Sequence, residues 1–166
     1  MRIVPLLLAF LVIVARADAQ TPAIDHIEVS GYGIFAADIT TCNPNKLGIQ
    51  YCDMANVRLA TRTATIPAQK GVTFGLTFQA AGMPDGATVT LRKVWIYPPD
   101  GLDTPASAQP VRRLQDNVSV VIGRTGMEVY NLTDVWELAA GDWTLELWDG
   151  DRRLVSQHFT LVKAGF

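Results

Sequence analysis

His26 and His158 are the chain's whole supply of imidazole. Imidazole is the side chain whose charge changes nearest neutral pH, so each is a candidate general base for a small hydrolase. Such chemistry needs a nucleophile within hydrogen-bond reach of the ring and a carboxylate behind it. Ser30, Ser107, Ser119 and Ser156 supply hydroxyls. None of them lies in the Gly-x-Ser-x-Gly turn that exposes a nucleophile at the head of a helix. Asp25 adjoins His26, but neighbours on a strand point to opposite faces, so adjacency makes no dyad. A catalytic relay would have to be assembled in space from distant elements.

Other chemistries find less to work with. Cys42 and Cys52 with two histidines fall short of the four closely spaced ligands of a structural zinc site. Asp149-Gly150-Asp151 and Asp100-Gly101-Leu102-Asp103 lack the further oxygens that calcium requires and read as solvated turns. Ser30-Gly31-Tyr32-Gly33 has neither the third glycine nor the helix of a phosphate loop, and reads as a bulged strand. No cofactor or metal is expected. Asn117-Val118-Ser119 and Asn131-Leu132-Thr133 fit the glycosylation pattern, which matters only in a eukaryotic source. The aromatics carry more. Trp95 and Tyr97 share a strand face with Lys93, and Trp148 falls opposite Trp143. If exposed, Trp95, Tyr97 and Trp148 would suit a partner protein or a sugar; if buried, they form a second apolar layer.

The elements that must position these residues are strands. Gly, Pro, Asn or Asp recurs every ten or so residues, between runs rich in Val, Thr, Ile, Phe and Trp. Strands are expected over 24–35, 56–66, 72–79, 87–97, 117–123, 143–148 and 154–162, with loops over 42–52 and 100–109. Pro67 is expected to stop the second of these. Residues 127–138 fit either a strand or a short helical turn. The clearest alternation sets Phe74, Leu76 and Phe78 against Thr73, Gly75 and Thr77. A second sets Trp143, Leu145 and Leu147 on a core face, with Thr144, Glu146 and Trp148 on a solvated one. Asp149-Gly150 then marks a hairpin turn. Seven or eight short strands without a long amphipathic helix predict a single antiparallel β-sandwich of immunoglobulin-like type, with a small β-barrel as the alternative.

The first nineteen residues are of another kind. Arg2 precedes an apolar stretch of roughly 12 residues over 3–14, and Ala17-Asp18-Ala19 is a small-x-small cleavage site before Gln20. This predicts a secretory signal peptide over 1–19 and a mature domain over 20–166. Removing nineteen of 166 residues leaves 147, enough for one domain with a competent core. Without Arg2, Arg16 and Asp18, 12 Lys+Arg stand against 15 Asp+Glu, a net charge of −3. That argues against nucleic acid and against docking on anionic lipid. No later apolar run reaches the length of a membrane span. In an oxidising compartment Cys42 and Cys52 are expected to form one disulfide.

Three stretches resemble an uncharacterised bacterial family of small exported domains, a domain of unknown function. They are 24–35 (Ile24-Asp25-His26 through Tyr32-Gly33-Ile34-Phe35), 66–75 (Ile66-Pro67-Ala68 through Phe74-Gly75), and Gly141-Asp142-Trp143 with the later Phe159-Thr160-Leu161-Val162. The Gly-x-Trp hairpin is also similar to the last two strands of bacterial immunoglobulin-like domains. The resemblance implies a periplasmic or secreted setting and assigns no catalytic residue. The function read from the chain is an exported, non-enzymatic binding or structural domain, with an envelope protein or glycan as partner. Its rivals are a hydrolase using His26 or His158 and a carbohydrate-binding module using the aromatics.

Overall fold

The computed structural model describes residues 21–163. The expected signal peptide, 1–19, lies outside them. The described residues form nine strands: β1 (Ala23–Pro44), β2 (Gln50–Thr61), β3 (Thr65–Ala68), β4 (Thr73–Met83), β5 (Thr88–Ile96), β6 (Arg113–Val121), β7 (Thr125–Asn131), β8 (Gly141–Asp149) and β9 (Arg152–Lys163). One sheet has the order β2-β1-β4-β7 and the other β3-β9-β8-β5-β6. Neither closes on itself or on its partner, so the molecule is a sandwich and not a barrel. Every pairing is antiparallel except β3 with β9.

The two alternations build the core. Phe74, Leu76 and Phe78 are at most 1% exposed, and Trp143, Leu145 and Leu147 are fully buried. Phe74, Trp95, Tyr97, Tyr130, Trp143 and Phe159 pack as one aromatic cluster, mostly edge to face, with neighbouring ring centres 4.7–6.4 Å apart. The Trp143 ring N–H, which could not be left unpaired at that depth, donates to the Ala139 carbonyl at 2.9 Å.

Several expected boundaries move, each for a physical reason. The stretch 56–66 is not one strand. After Thr61 the chain crosses to the other sheet, where β3 runs parallel to β9. Pro67 lies inside β3, where a missing N–H is tolerated because β3 is an edge. Residues 127–138 resolve into the end of β7 and a 3-10 turn, Val135–Glu137. The fully buried Glu137 carboxylate holds that turn, accepting from the Tyr130 hydroxyl, the Thr133 amide and hydroxyl, and the Asp134 amide at 2.7–2.8 Å. The expected bulge near Gly31 is present as a register shift between Val29 and Gly31. Gly33 has φ +138, and a Cβ there would collide with the Thr61 carbonyl.

The stretch 42–52, expected to be a loop, is mostly strand. Cys42 and Cys52 face each other across β1 and β2 and are joined by a disulfide. Only the tip is irregular, where Asn45 Oδ1 accepts from the Leu47 and Ile49 amides at 2.8 and 3.0 Å. Beyond Phe35, β1 leaves β4 and pairs with β2 alone. Residues 36–44 and 50–58 are therefore a two-stranded, disulfide-braced arm. Its tip is anchored by Ile49, 2% exposed, in the core.

Candidate functional site

The aromatics singled out in the sequence do not form a binding face. Trp95 and Tyr97 are 2% and 3% exposed, buried in the aromatic cluster, and neither stands out from a sheet face as an anchor for a partner or a sugar. Lys93, which suggested a solvated face for them, points inward with them. Trp148 does lie opposite Trp143, half-buried on the outer face. The Arg92 and Arg153 guanidinium groups sit over its ring at 5.2 and 5.8 Å, and its N–H donates to Glu146 at 2.9 Å. Arg153 also pairs with Glu146 at 3.0 Å. Glu146, expected in solvent, is thereby covered and only 6% exposed.

Both histidines are exposed. His158 Nδ1 lies 2.9 Å from the Thr144 hydroxyl on the outer sheet face, with no carboxylate bonded behind the ring among the described residues. His26 borders a shallow hollow of about 370 Å³ with Glu28 and Asp85, and makes no side-chain hydrogen bond among the described residues. The structure brings neither imidazole into a nucleophile–base–carboxylate chain. Among the described residues no group of three or more His, Cys, Asp or Glu could hold a metal ion. Asn131, in the second glycosylation pattern, is 6% exposed and accepts from the buried Thr73 hydroxyl at 3.1 Å, so it is not available for modification.

Polar groups converge elsewhere. β6 and β7 are edge strands of opposite sheets, joined through the turn at Gly123, and they diverge from it. The arm folds across the gap between them. The result is a cleft of about 290 Å³, with β2 residues 50–54 as one wall, β7 residues 127–131 as the other, and Trp95 and Leu114 as apolar lining. Lys93 of β5 and Glu128 of β7 bridge the two sheets inside it at 3.0 Å. The Tyr51 hydroxyl, from the arm, donates to Asp116 of β6. The Lys93 ammonium also lies 5.7 Å from the Tyr51 ring centre. Tyr51 and Met127 are 40% and 37% exposed, two large apolar side chains at the mouth.

Burial sets the electrostatics of this cleft. It raises the Glu128 carboxyl above its ordinary range, and the facing Lys93 only partly opposes the rise. Burial also raises the Tyr51 hydroxyl, with its bond to Asp116 adding to the effect. The lining holds Asp53 and Glu128 against Lys93, and Asp116 stands behind it on the Tyr51 hydroxyl, so the cleft is acidic on balance. Tyr51, Asp116 and Glu128 belong to no motif in the sequence, and Lys93 stands out there only as a neighbour of Trp95 and Tyr97 on one strand face. The signal was phase: Lys93 alternates with Leu91 and Trp95, and Glu128 with Tyr130 and Leu132, all core residues. A charge in phase with a core face must find a partner inside.

A family model described as domain of unknown function (DUF3859) matches residues 24–161, nearly all of the two sheets. The chain belongs to the DUF3859 family. The DUF3859 domain is also similar to an immunoglobulin-like protein from Pseudomonas aeruginosa whose crystal structure is known. The two share 23% identity with a TM-score of 0.59, over 88% of this chain and 100% of that one. This likeness concerns the fold, and it agrees with the two-sheet architecture above. No curated protein matches the DUF3859 domain in sequence. Among the described residues no helix is long and apolar enough to cross a membrane.

Proposed function

We propose that this DUF3859 domain is an exported, non-enzymatic binding domain of the bacterial envelope, and that the cleft beside β7 is where it takes its partner. One observation carries the reading. The cleft combines apolar walls, two exposed large side chains at its mouth and four converging polar groups, the ordinary make-up of a recognition site. The leader-like residues 1–19 and the Cys42–Cys52 bridge support an oxidising destination. The hydrolase and carbohydrate readings have less support. Neither His26 nor His158 is backed by a carboxylate, Trp95 and Tyr97 are buried, and Trp148 is held between arginines.

Fractionation and capture test this reading. The mature protein is expected in the periplasmic or secreted fraction with Gln20 at its N-terminus. The immobilised mature domain should retain an envelope component that Tyr51→Ala and Met127→Arg variants retain about tenfold less well, the scale of losing one apolar anchor. Retention in the cytoplasm, or capture that both variants leave unchanged, would overturn it.

A further inference from the structure

The cleft runs along a strand edge that no backbone hydrogen bond covers among the described residues. β7 pairs with β4 on one side only, over 125–131 and without a register shift. The side on which its backbone groups fall follows from alternation. The Leu132 amide donates to the Val72 carbonyl at 2.9 Å, and the Leu132 carbonyl accepts from the Gly71 amide at 2.7 Å. Residues two and four earlier, Tyr130 and Glu128, therefore also face β4. The N–H and C=O groups of Met127, Val129 and Asn131 face the other way, toward the next strand position. Residues 127–131 line the cleft without interruption, whereas β6 reaches it only at Leu114.

The other edges are less suited. β3 is four residues long and contains Pro67. The pairing of β2 with β1 shifts register three times, and Asn56 of β2 sits at φ +53, features that discourage further pairing. β7 is regular, and its edge opens into a cleft walled on the far side by β2 residues 50–54.

We infer that the cleft receives an extended segment of a partner protein, which adds as a strand to the free edge of β7 at Met127–Asn131 and sets a basic side chain near Glu128 and Asp116. The inference rests on the cleft being the binding site and deepens that reading. Main-chain bonds to β7 give the segment its direction and register, and alternate side chains give it identity. Those turned inward meet Leu114 and Trp95 along with the carboxylates, so the matching segment mixes apolar and basic residues. Those turned outward pass Met127 and Tyr51. The acidic balance of the cleft disfavours an acidic segment.

Synthetic peptides about ten residues long, enough for one strand, test this on the mature domain. One alternates lysine with valine, a second replaces lysine by glutamate, and a third is the lysine peptide N-methylated along one edge. The lysine peptide should bind about tenfold or more tightly than the glutamate peptide. N-methylation leaves the side chains intact and should weaken binding about tenfold per lost bond or pair of bonds. By nuclear magnetic resonance, the amides of Met127, Val129 and Asn131 should gain protection from hydrogen exchange, while those of Glu128 and Tyr130 are protected from the start. No binding by the lysine peptide, binding indifferent to N-methylation, or protection appearing on β2 or β6 would overturn the inference. So would pairing of β7 with a second copy in the absence of peptide. If peptides fail in these ways while the Tyr51→Ala and Met127→Arg variants still lose an envelope component, the strand-addition inference falls and the cleft reading stands.

Discussion

Lys93 of β5 and Glu128 of β7 belong to different sheets, and their charged ends meet at 3.0 Å inside the sandwich. Both side chains are nearly closed off from solvent, at 14% and 10% exposure. Lys93→Met leaves the Glu128 carboxylate buried and unpaired, and should cost about 3–5 kcal/mol. Replacing both partners, with Lys93→Met and Glu128→Leu, should restore most of that loss, because two apolar groups need no partner. Denaturant melts of the single and double variants measure both.

The same pair gives a pH signature. Burial raises the Glu128 carboxyl in the folded state, so folding favours its protonated form. The stability this contributes is complete below the unfolded carboxyl value, about 4.3, and is lost as pH rises through the higher folded value. Glu128→Gln has no such loss. Melts at acid and neutral pH should therefore show the Gln variant gaining on the wild type as pH rises, by about 1.4 kcal/mol for each unit by which the folded value is raised. A gap that stays constant, or that moves the other way, would mean that Lys93 outweighs burial.

Trp143 and Trp148 separate core from surface in one strand. Trp143 is fully buried against Phe74, Trp95, Tyr97 and Tyr130, so Trp143→Ala should cost about 3–5 kcal/mol. Trp148→Ala removes an outer-face ring and its contacts with Arg92 and Arg153, and should cost clearly less, about 1–2 kcal/mol. Equal losses in urea would reverse the facing of β8.

The two alternations made this much legible. Phe74, Leu76 and Phe78, and Trp143, Leu145 and Leu147, were placed in the core by period alone, and Gly150 at φ +56 makes the turn that Asp149-Gly150 announced. The disulfide was legible from cysteine count and compartment. The cleft was not, because each of its members depends on a partner remote in sequence. Lys93 has no visible partner in the sequence until Glu128 is set opposite it, so the face it shares with Trp95 and Tyr97 stays open between surface and second apolar layer, and the structure selects the buried layer. The expectation for Glu146 went wrong, since only Trp148 and Arg153 together cover it. The arm is hidden by Asn43 and Pro44, turn-forming residues that sit at the end of a long strand, with only Asn45 in the turn itself.

The arm predicts a divided response to reduction. The Cys42–Cys52 bridge closes a loop with a sequence separation of 10, and loop closure of that size contributes about 3 kcal/mol. Cys42→Ser with Cys52→Ser should lower the midpoint of unfolding yet leave the sandwich folded, because both sheets are paired independently of the bridge. Hydrogen exchange should rise first over residues 36–58. Exchange that rises equally in β8 and β9 would show that the bridge supports the whole core.

Site-specific photocrosslinking in the living cell shows which face of the domain meets its partner. A photoreactive amino acid placed at Tyr51 or Met127 reports on the cleft, one at Trp148 on the outer face of the opposite sheet, and one at His26 on the shallow hollow. A discrete crosslinked envelope partner is expected from Tyr51 and Met127 and none from Trp148 or His26. A partner crosslinked through Trp148 or His26, with Tyr51 and Met127 silent, would contradict the cleft reading.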